Sequence, residues 1–362
     1  MLSITPRAEG NIDVISLLEQ SLEVAKEGKM ISCAVAFFGI DGTTMRALCC
    51  VPGTEGGMFL ALDRLKDHIK TAVAELEQRP IHDATLGADF VCWNLRDLPH
   101  NYDFLCGLVE AEMTRIREGA PAPLKICFHN QPREPNAYTS QFFNNVMMPA
   151  IAMMGAKIDG RALRGKAMIG HNVKKIVEAS RAGEGVPRLQ CDPHALAAAQ
   201  AETAGCVTIS LREAERWPHR NSNLPDWIKL AEVLKERGER VIFVRDTAMA
   251  HEPIEGFETH PMAAISLQTR LALYETAKCN LFVPNGPFGL ALFGSRPFIC
   301  FQNTAEHDPY EPLRPSWWKR NYGMTAGKDQ FPWSYPNQRL VWERDDFPIM
   351  LEAWNDLEPE IS

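Results

Sequence analysis

Residues 206–301 read CVTISLREAERWPHRNSNLPDWIKLAEVLKERGERVIFVRDTAMAHEPIEGFETHPMAAISLQTRLALYETAKCNLFVPNGPFGLALFGSRPFICF. Short apolar runs alternate here with amphipathic segments. Cys206 to Leu211 is a β-branched run that stops at Arg212, and Asp226 to Arg237 then sets Trp227, Leu230, Ala231 and Leu234 at helical spacing. Gly238 closes that helix as a C-cap glycine. Arg240 to Val244 is a second strand ending at Arg245 and Asp246, and Met262 to Ile265 reads as a third, short one. Leu267 to Ala277 is another helix. Asn280 to Val283 runs into Pro284, Asn285 and Gly286, where a helix through Leu290 and Phe293 begins, and Arg296 to Phe301 is the next strand. Strands separated by helices of roughly ten to fifteen residues imply right-handed crossovers and a parallel sheet. Ligands bind such sheets at the polar strand ends.

Upstream, the same alternation continues in a second α/β region. Ala88 to Trp93 is a strand, Tyr102 to Arg117 a helix, Leu124 to Phe128 a strand, Ala137 to Met154 a helix rich in Met and Phe, and Ala156 to Ile158 a brief strand. Residues 160–204 are polar, with two helical patches and a Gly/Pro break at Gly183 to Pro187 that suits a hinge between lobes. The first 80 residues follow another pattern: an amphipathic helix over Ile12 to Ala25, strands at Ile31 to Ile40 and Thr44 to Val51 around an Asp41-Gly42 turn, and a long helix from Met58 to Leu76. This is a small α-β-β-α module. Two strands bury little, so it is expected to need a partner surface or to self-associate. Gln78 to Leu86 reads as a linker. The domain organisation is therefore a module over 1–80, an N-terminal lobe over 86–204 and a C-terminal lobe over 205–362. Downstream of Phe301 the chain is long and irregular, rich in Pro and aromatics, before a strand at Arg339 to Trp342 and a helix from Phe347 to Leu357.

With 362 residues, 45% of them hydrophobic and 23% charged, the chain can bury more than one core. A net charge of -8 argues against a general nucleic-acid binder, since phosphate neutralisation needs a basic face. No run approaches the roughly eighteen apolar residues of a membrane span, and the N-terminus lacks a secretory pattern, so a cytoplasmic location is expected. The ten cysteines contain no CxxC pair; Cys92, Cys127, Cys206, Cys279 and Cys300 sit in apolar runs and read as buried thiols.

Two resemblances follow from these patterns. AKEGKM at 25–30, DGTT at 41–44 and the Gly56-Gly57 helix start make residues 1–80 resemble a small uncharacterised domain found as short free-standing proteins in bacteria and phages. That likeness implies no chemistry. Two small α/β lobes across a hinge, with TISLREAERWPHRNS at 208–222, RVIFVRDT at 240–247, LALYETAKCNLFVPNGPFGLALFGSRPFICF at 271–301 and QRLVWERDD at 338–346, resemble the GT-B architecture of nucleotide-sugar glycosyltransferases. The resemblance spans about residues 88–357 and implies two Rossmann-like lobes, a nucleotide-diphosphate sugar as co-substrate on the C-terminal lobe, an unknown acceptor on the N-terminal lobe, and no further cofactor. The arginine after the first C-lobe strand is similar to one in the fucosyltransferase-like branch, but the fuller His-x-Arg-Arg-x-Asp pattern is replaced by Ser210, Leu211, Arg212, Glu213.

Arg212 and Arg220 are candidates to hold a diphosphate bidentately. Asn285, Gly286, Pro287, Phe288 and Gly289 open a helix directly after a strand, where amides and the positive dipole end favour an anion and Gly286 admits close approach. Asp246 is a candidate for ribose hydroxyls and, by the resemblance, Glu275 as well. A general base is expected from the N-terminal lobe, with His129 and Asp97 as the leading candidates and His100 and Asp103 beside them. No HExxH, HxxxH or Asp-x-Asp occurs, which favours metal-independent chemistry, and no GxSxG or Walker A motif occurs either. Plain structural readings stay open for each position: a turn into a helix at Pro287, a cap at Asp246, a solvated helix face at Glu275, and packing rather than stacking on sugar rings for Trp317, Trp318, Trp333 and Tyr335 of the aromatic tail. Two other functions stay open as well, an assembly protein on a transferase-like fold and a nucleotide-sugar epimerase.

Overall fold

A computed structural model describes residues 35–38, 44–47, 89–95, 101–129, 141–159, 166–167, 173–305 and 310–361. The chain divides into two compact units, one of residues 1–86 with 158–163 and one of residues 87–157 with 164–362. In the first unit, β1 (Val35–Phe38) and β2 (Thr44–Ala47) pair antiparallel, with Phe38 opposite Thr44, as the Asp41-Gly42 turn predicts. The helices expected at 12–25 and 58–76, the linker at 78–86 and Asp97 lie outside the described residues.

The second unit is built on two sheets. In the N-terminal lobe β3 (Phe90–Asn94) lies parallel to β4 (Lys125–His129) and to β6 (Lys166–Ala167), with β5 (Lys157–Ile158) at the β4 edge, giving the order β5-β4-β3-β6. Helix α1 (Asp103–Arg117), within the range expected from the sequence, buries Phe104, Leu105, Leu108 and Val109. The Met/Phe-rich helix holds a π-helical segment over Phe143–Met147 before α2 (Met148–Met153), a local widening that re-aims side chains and recurs at functional sites. Helices α3 (Val173–Arg181) and α4 (Pro193–Glu202) follow. Between them, Gln190 donates its amide to Met153 O of one lobe and Leu189 to Phe293 O of the other, so this hinge segment is stitched to both.

The C-terminal lobe is a six-stranded sheet in the order β12-β11-β10-β7-β8-β9, with every neighbouring pair parallel. Its strands are β7 (Val207–Ser210), β8 (Val241–Val244), β9 (Glu258–Thr259), β10 (Cys279–Phe282), β11 (Phe298–Phe301) and β12 (Gln338–Val341). The first strand is central; the chain proceeds to β8 and β9 on one side, then returns to lay β10, β11 and β12 on the other. Strands β7, β8, β10 and β11 are buried at all four positions, which is why they read as continuous apolar runs.

One face of this sheet presents Val207, Ile209, Leu211, Leu281 and Ile299 to Trp227, Leu230 and Leu234 of α5 (Leu224–Glu236) and to Met350, Trp354 and Leu357 of α10 (Phe347–Ile361). The opposite face packs under α6 (Pro261–Ile265) and α7 (Leu267–Thr276). That face carries a buried polar set: Thr208 donates to Asn280 Oδ1 at 2.6 Å, Asn280 Nδ2 to Tyr274 O at 3.1 Å, and the Ser210 and Tyr274 hydroxyls lie 2.7 Å apart.

The expected strand at Met262 to Ile265 is a helix instead. Pro261 sits at its first turn with φ already set, and His260 Nδ1 caps it by accepting from Ala263 N at 3.1 Å. The third strand comes slightly earlier, at Glu258–Thr259. Gly238 takes φ +90° after α5, the left-handed C-cap its sequence position implies. Cys92, Cys127, Cys206, Cys279 and Cys300 are buried free thiols, and burial pushes Cys206 up to about 12. The aromatic tail folds over the molecule: α8 (Phe288–Leu292) precedes β11, and α9 (Pro315–Tyr322) lies where Arg181 of α3 donates to Gly323 O at 2.9 Å and meets Asp329 at 3.1 Å. Indole nitrogens of Trp318, Trp333 and Trp342 donate to the carbonyls of Pro312, Leu292 and Asp329. Among the described residues no helix is long and apolar enough to cross a membrane.

Asp345, just after β12, accepts from Asn223 N and from Trp227 Nε1, each at 2.7 Å and on the same carboxylate oxygen, Oδ2. Burial holds its pKa above the ordinary carboxylate range. Asp345→Ala leaves two buried donors unpaired and is expected to cost about 3 kcal/mol in urea unfolding, whereas Asp345→Asn keeps an acceptor oxygen and should cost under about 1 kcal/mol. Because the native state binds the Asp345 proton more tightly than the unfolded chain, wild-type stability should fall as pH rises through the window above the ordinary carboxylate pKa. The Asp345→Asn protein should lack that component of the fall.

Candidate functional site

The strand order reverses between β7 and β10, so the chains leaving their carboxyl ends diverge and leave a crevice. A cavity of about 1030 Å³ opens there, walled by the C-terminal strand ends on one side and by α1, the π-helical segment and α9 on the other.

Arg212 follows β7 directly and is only 7% exposed. Its guanidinium donates to Trp217 O at 3.0 Å, to Arg216 O at 2.6 Å and to Asn221 Oδ1, which pins the loop over 212–221. Trp217 takes φ 59°, among the described residues the one non-glycine in the left-handed region, a conformation costing on the order of 1–3 kcal/mol that this arginine holds in place. Arg220 comes back from the same loop to donate to Pro284 O at 3.2 Å, bridging the two diverging strand ends, and to Tyr310 Oη at 3.1 Å. Its guanidinium also stacks 4.7 Å from the Tyr310 ring centre. Arg212 and Arg220 repel each other, and with burial as the larger cause this lowers the Arg212 pKa. Every acceptor these two arginines use is a neutral oxygen.

Asp246 ends β8 and lines the cavity, with Oδ2 accepting from Glu213 N at 2.6 Å. Glu213 is itself tied to Arg245 by a forked ion pair with contacts of 2.5 to 3.2 Å. Asp246 therefore braces the Arg212 loop, and it contributes the nearest acidic influence on Arg212.

The turn at Asn285 to Gly289 lines the cavity but differs from its expected role. Asn285 Oδ1 accepts from Phe288 N at 2.9 Å, and the amides of Gly289 and Leu290 donate to Gly286 O and Pro287 O. These amides are spent inside the turn, and the five-residue helix they open is too short to present an anion site. Gly286 is required for another reason: a Cβ there would lie 2.1 Å from the Tyr102 ring at the start of α1. Gly289 likewise meets Leu105, with 3.1 Å available to a Cβ. The glycines let one lobe touch the other.

Glu275 is not brought to the cavity. Its carboxylate accepts from Ser295 N at 2.8 Å and from the Ser295 hydroxyl, in the loop entering β11, at the amino-terminal edge of the sheet. Strand polarity sets this: α7 runs antiparallel to β10, so its last turn lies at the opposite end from the crevice. His129 is the last residue of β4, at a strand end of the N-terminal lobe, and only its backbone is described; Asp97 and His100 are outside the described residues.

The structure brings Asp103, a base candidate of the sequence, and the tail tryptophans Trp317 and Trp318 to the cavity, together with residues not singled out from the sequence. Asp103 begins α1 and lines the cavity, with its carboxylate accepting from Asn101 Nδ2 at 2.8 Å and its amide donating to Asn101 Oδ1 at 3.0 Å. Tyr322 stands nearby; burial raises its pKa well above the ordinary phenol value, Cys106, Asp103 and Tyr310 raise it further, and Arg220 acts in the opposite sense. Charged groups of both lobes are thus within electrostatic reach of one hydroxyl. Arg270 of α7 and the tail aromatics Trp317, Trp318 and Phe331 complete the lining. Among the described residues no three His, Cys, Asp or Glu side chains form a metal-ligand set.

Fold and cavity together define an α/β protein of two parallel-sheet lobes with a cationic crevice at the switch point. No protein-family model and no curated protein matches the chain. Solved structures similar to it include the glycosyl transferase family 9 protein from Veillonella parvula DSM 2008, at 9% identity over 75% of this chain and 90% of that one, with a TM-score of 0.40. The E. coli ADP-heptose lps heptosyltransferase II is similar at 10% identity over 75% and 98%, TM-score 0.42. The Methanocaldococcus jannaschii UDP-GlcNAc 2-epimerase, solved with UDP-GlcNAc and UDP, is similar at 9% identity over 74% and 92%, TM-score 0.33.

The Gly286–Tyr102 contact makes a direct prediction. Gly286→Ala should lower unfolding free energy by roughly 1–3 kcal/mol through overpacking against a ring that is itself held by Phe142. In a Tyr102→Ala background the same change should cost less than about 0.5 kcal/mol, so a double-mutant cycle by chemical denaturation checks it.

Proposed function

We propose that the chain is a glycosyltransferase that takes a nucleotide-diphosphate sugar in the crevice between β7 and β10 and passes the sugar to an acceptor lying against the N-terminal lobe. The observation that carries this reading is the pair Arg212 and Arg220, two guanidiniums at the switch point whose hydrogen-bond acceptors among the described residues are all neutral oxygens. A diphosphate supplies the missing negative charge. It would accept charge-assisted hydrogen bonds in a partly desolvated cleft, where these are about twice as strong as neutral ones. As the sugar departs, negative charge develops on the β-phosphate, and the same guanidiniums stabilise it. That assigns leaving-group stabilisation to arginine rather than to a metal ion.

The acceptor hydroxyl needs a base on the facing wall. Of the N-lobe candidates we assign this role to Asp103, whose carboxylate lines the cavity and is oriented by Asn101. Asp246 acts indirectly, by bracing the loop that carries the arginines, and the Asn285 to Gly289 turn shapes the floor.

Calorimetric titration of the full chain with UDP, GDP, ADP and CMP sugars tests the reading. At least one should bind, unaffected by EDTA, and Arg220→Ala should weaken it by roughly 1.5–3 kcal/mol, about tenfold or more, with little change in unfolding temperature. Arg212→Ala should cost binding and stability together, because it releases the Trp217 loop. Asp103→Asn should leave donor binding intact and lower transfer at least about a hundredfold, as expected for loss of a general base. If no nucleotide sugar gives heat and Arg220→Ala changes nothing, the transferase reading is lost; epimerised sugar formed without acceptor would redirect it to an epimerase.

A further inference from the structure

At the β8 end of the same cavity lies a second buried guanidinium environment, away from the β7 loop. Arg270 is only 5% exposed and lines the cavity. Its Nε donates to Ala263 O at 2.5 Å and one Nη to Arg245 O at 3.3 Å, while its other Nη makes no hydrogen bond among the described residues. The fork is therefore held by its stem side, with donors left over on the cavity side.

Its surroundings are narrow and poor in competing polar groups. Ala248, Ala263, Ala264 and Leu267 line this end of the cavity. The hydroxyl of Thr247 is spent on Ala264 O at 2.9 Å, and that of Ser266 accepts from Thr269 N and Thr269 Oγ1. His260 Nδ1 is spent on the α6 cap. Unspent guanidinium N–H groups of a cavity-lining arginine are available to a ligand that supplies acceptors. The apolar residues of the lining can meet the face of a flat ring.

We propose that Arg270 reads the edge of the donor's base and selects an oxo base, uracil or guanine, against adenine. This deepens the transferase reading and rests on it. With the diphosphate at Arg212 and Arg220, the nucleoside extends toward β8, whose end is framed by Asp246, Thr247 and Arg270. Guanidinium is a donor only. Guanine offers O6 and N7 as paired acceptors and uracil offers ring carbonyls, whereas adenine places its exocyclic amino donor on the edge where guanine has O6. Donor facing donor leaves both unpaired in a buried site.

The experiment is calorimetry of the full chain with UDP, GDP, ADP and inorganic diphosphate. The wild type should bind UDP or GDP at least about tenfold more tightly than ADP, the discrimination expected of one well-made base contact. Arg270→Gln should shrink that ratio to near one or invert it, since a side-chain amide pairs with adenine, and should leave inorganic diphosphate binding unchanged. Arg270→Lys, which retains the charge and one donor to the backbone carbonyls, is the second variant should the glutamine fail to fold; it should reduce the ratio without abolishing binding. Equal or tighter binding of ADP by the wild type overturns the assignment. So does a parallel loss of inorganic diphosphate and UDP in the variants, which would make Arg270 a phosphate ligand. Failure of all nucleotides to bind the wild type would instead overturn the transferase reading itself, and this assignment with it.

Discussion

The pairing of β7 with β10 governs everything that the C-terminal lobe can do. These two strands are consecutive neither in sequence nor in the direction the chain travels, yet they lie in register with Thr208 beside Asn280 and Ser210 beside Phe282. Both are covered on both faces, so the apolar surface removed from water on the α5 and α10 side must be matched by satisfied polar groups on the α7 side. The Thr208, Asn280, Tyr274 and Ser210 set does this, and it fixes α7 over the sheet at one height. Because crossovers from β7 and β10 must leave on opposite sides, a crevice at their carboxyl ends is unavoidable.

What the crevice presents is a set of guanidiniums hydrogen-bonded to neutral oxygens. Arg212, Arg220 and Arg270 line the cavity, and all their acceptors are carbonyls, an amide oxygen or a phenol. Neutral acceptors satisfy geometry but do not cancel a positive charge in a medium of reduced dielectric. By contrast, Arg245 in the same lobe is neutralised by a forked pair with Glu213, and that pair raises its pKa. The carboxylates of this lobe are engaged otherwise: Glu213 on Arg245, Asp246, which lines the cavity, on the Glu213 amide, and Glu275 on Ser295 at the far edge.

The strands were legible in the sequence because burial on both faces makes them continuous apolar runs, and α5 because Trp227, Leu230, Ala231 and Leu234 fall on one stripe. The placement of Arg212 and Gly286 on one cavity was legible too, since both follow strands that a parallel sheet must end on the same side. What a ligand would meet there was not. Gly286 carries the same letter whether a phosphate or a neighbouring ring needs the space, and Tyr102 lies far away in sequence. Glu275 was misplaced because a helix antiparallel to its strand delivers its last turn to the wrong end of the sheet. Met262 to Ile265 was misread as a strand although Pro261 at a first helical turn carried the correction. Arg270 left a signal that could have been used: with Leu267, Leu271 and Tyr274 it occupies the i, i+3, i+4, i+7 stripe, so a cation sits where the period demands a buried residue.

The contact that closes the two lobes also decides which groups can act together. Tyr102 packs its ring on Gly286, immediately before Asp103 in the chain, so the residue that anchors the lobes and an acidic residue of the cavity lining are adjacent links of one helix start. Moving the lobes apart would withdraw Asp103 from the cavity and uncover the Gly286 floor in the same motion. Leu105 on Gly289 and the Arg181 bonds to Gly323 and Asp329 act in the same sense, each joining an N-lobe helix to C-lobe or tail backbone. Chemistry that needs a base from one lobe and cations from the other is therefore tied to lobe closure, and the aromatic tail, which packs against α3 while lining the cavity, is the element through which closure and cavity shape are coupled.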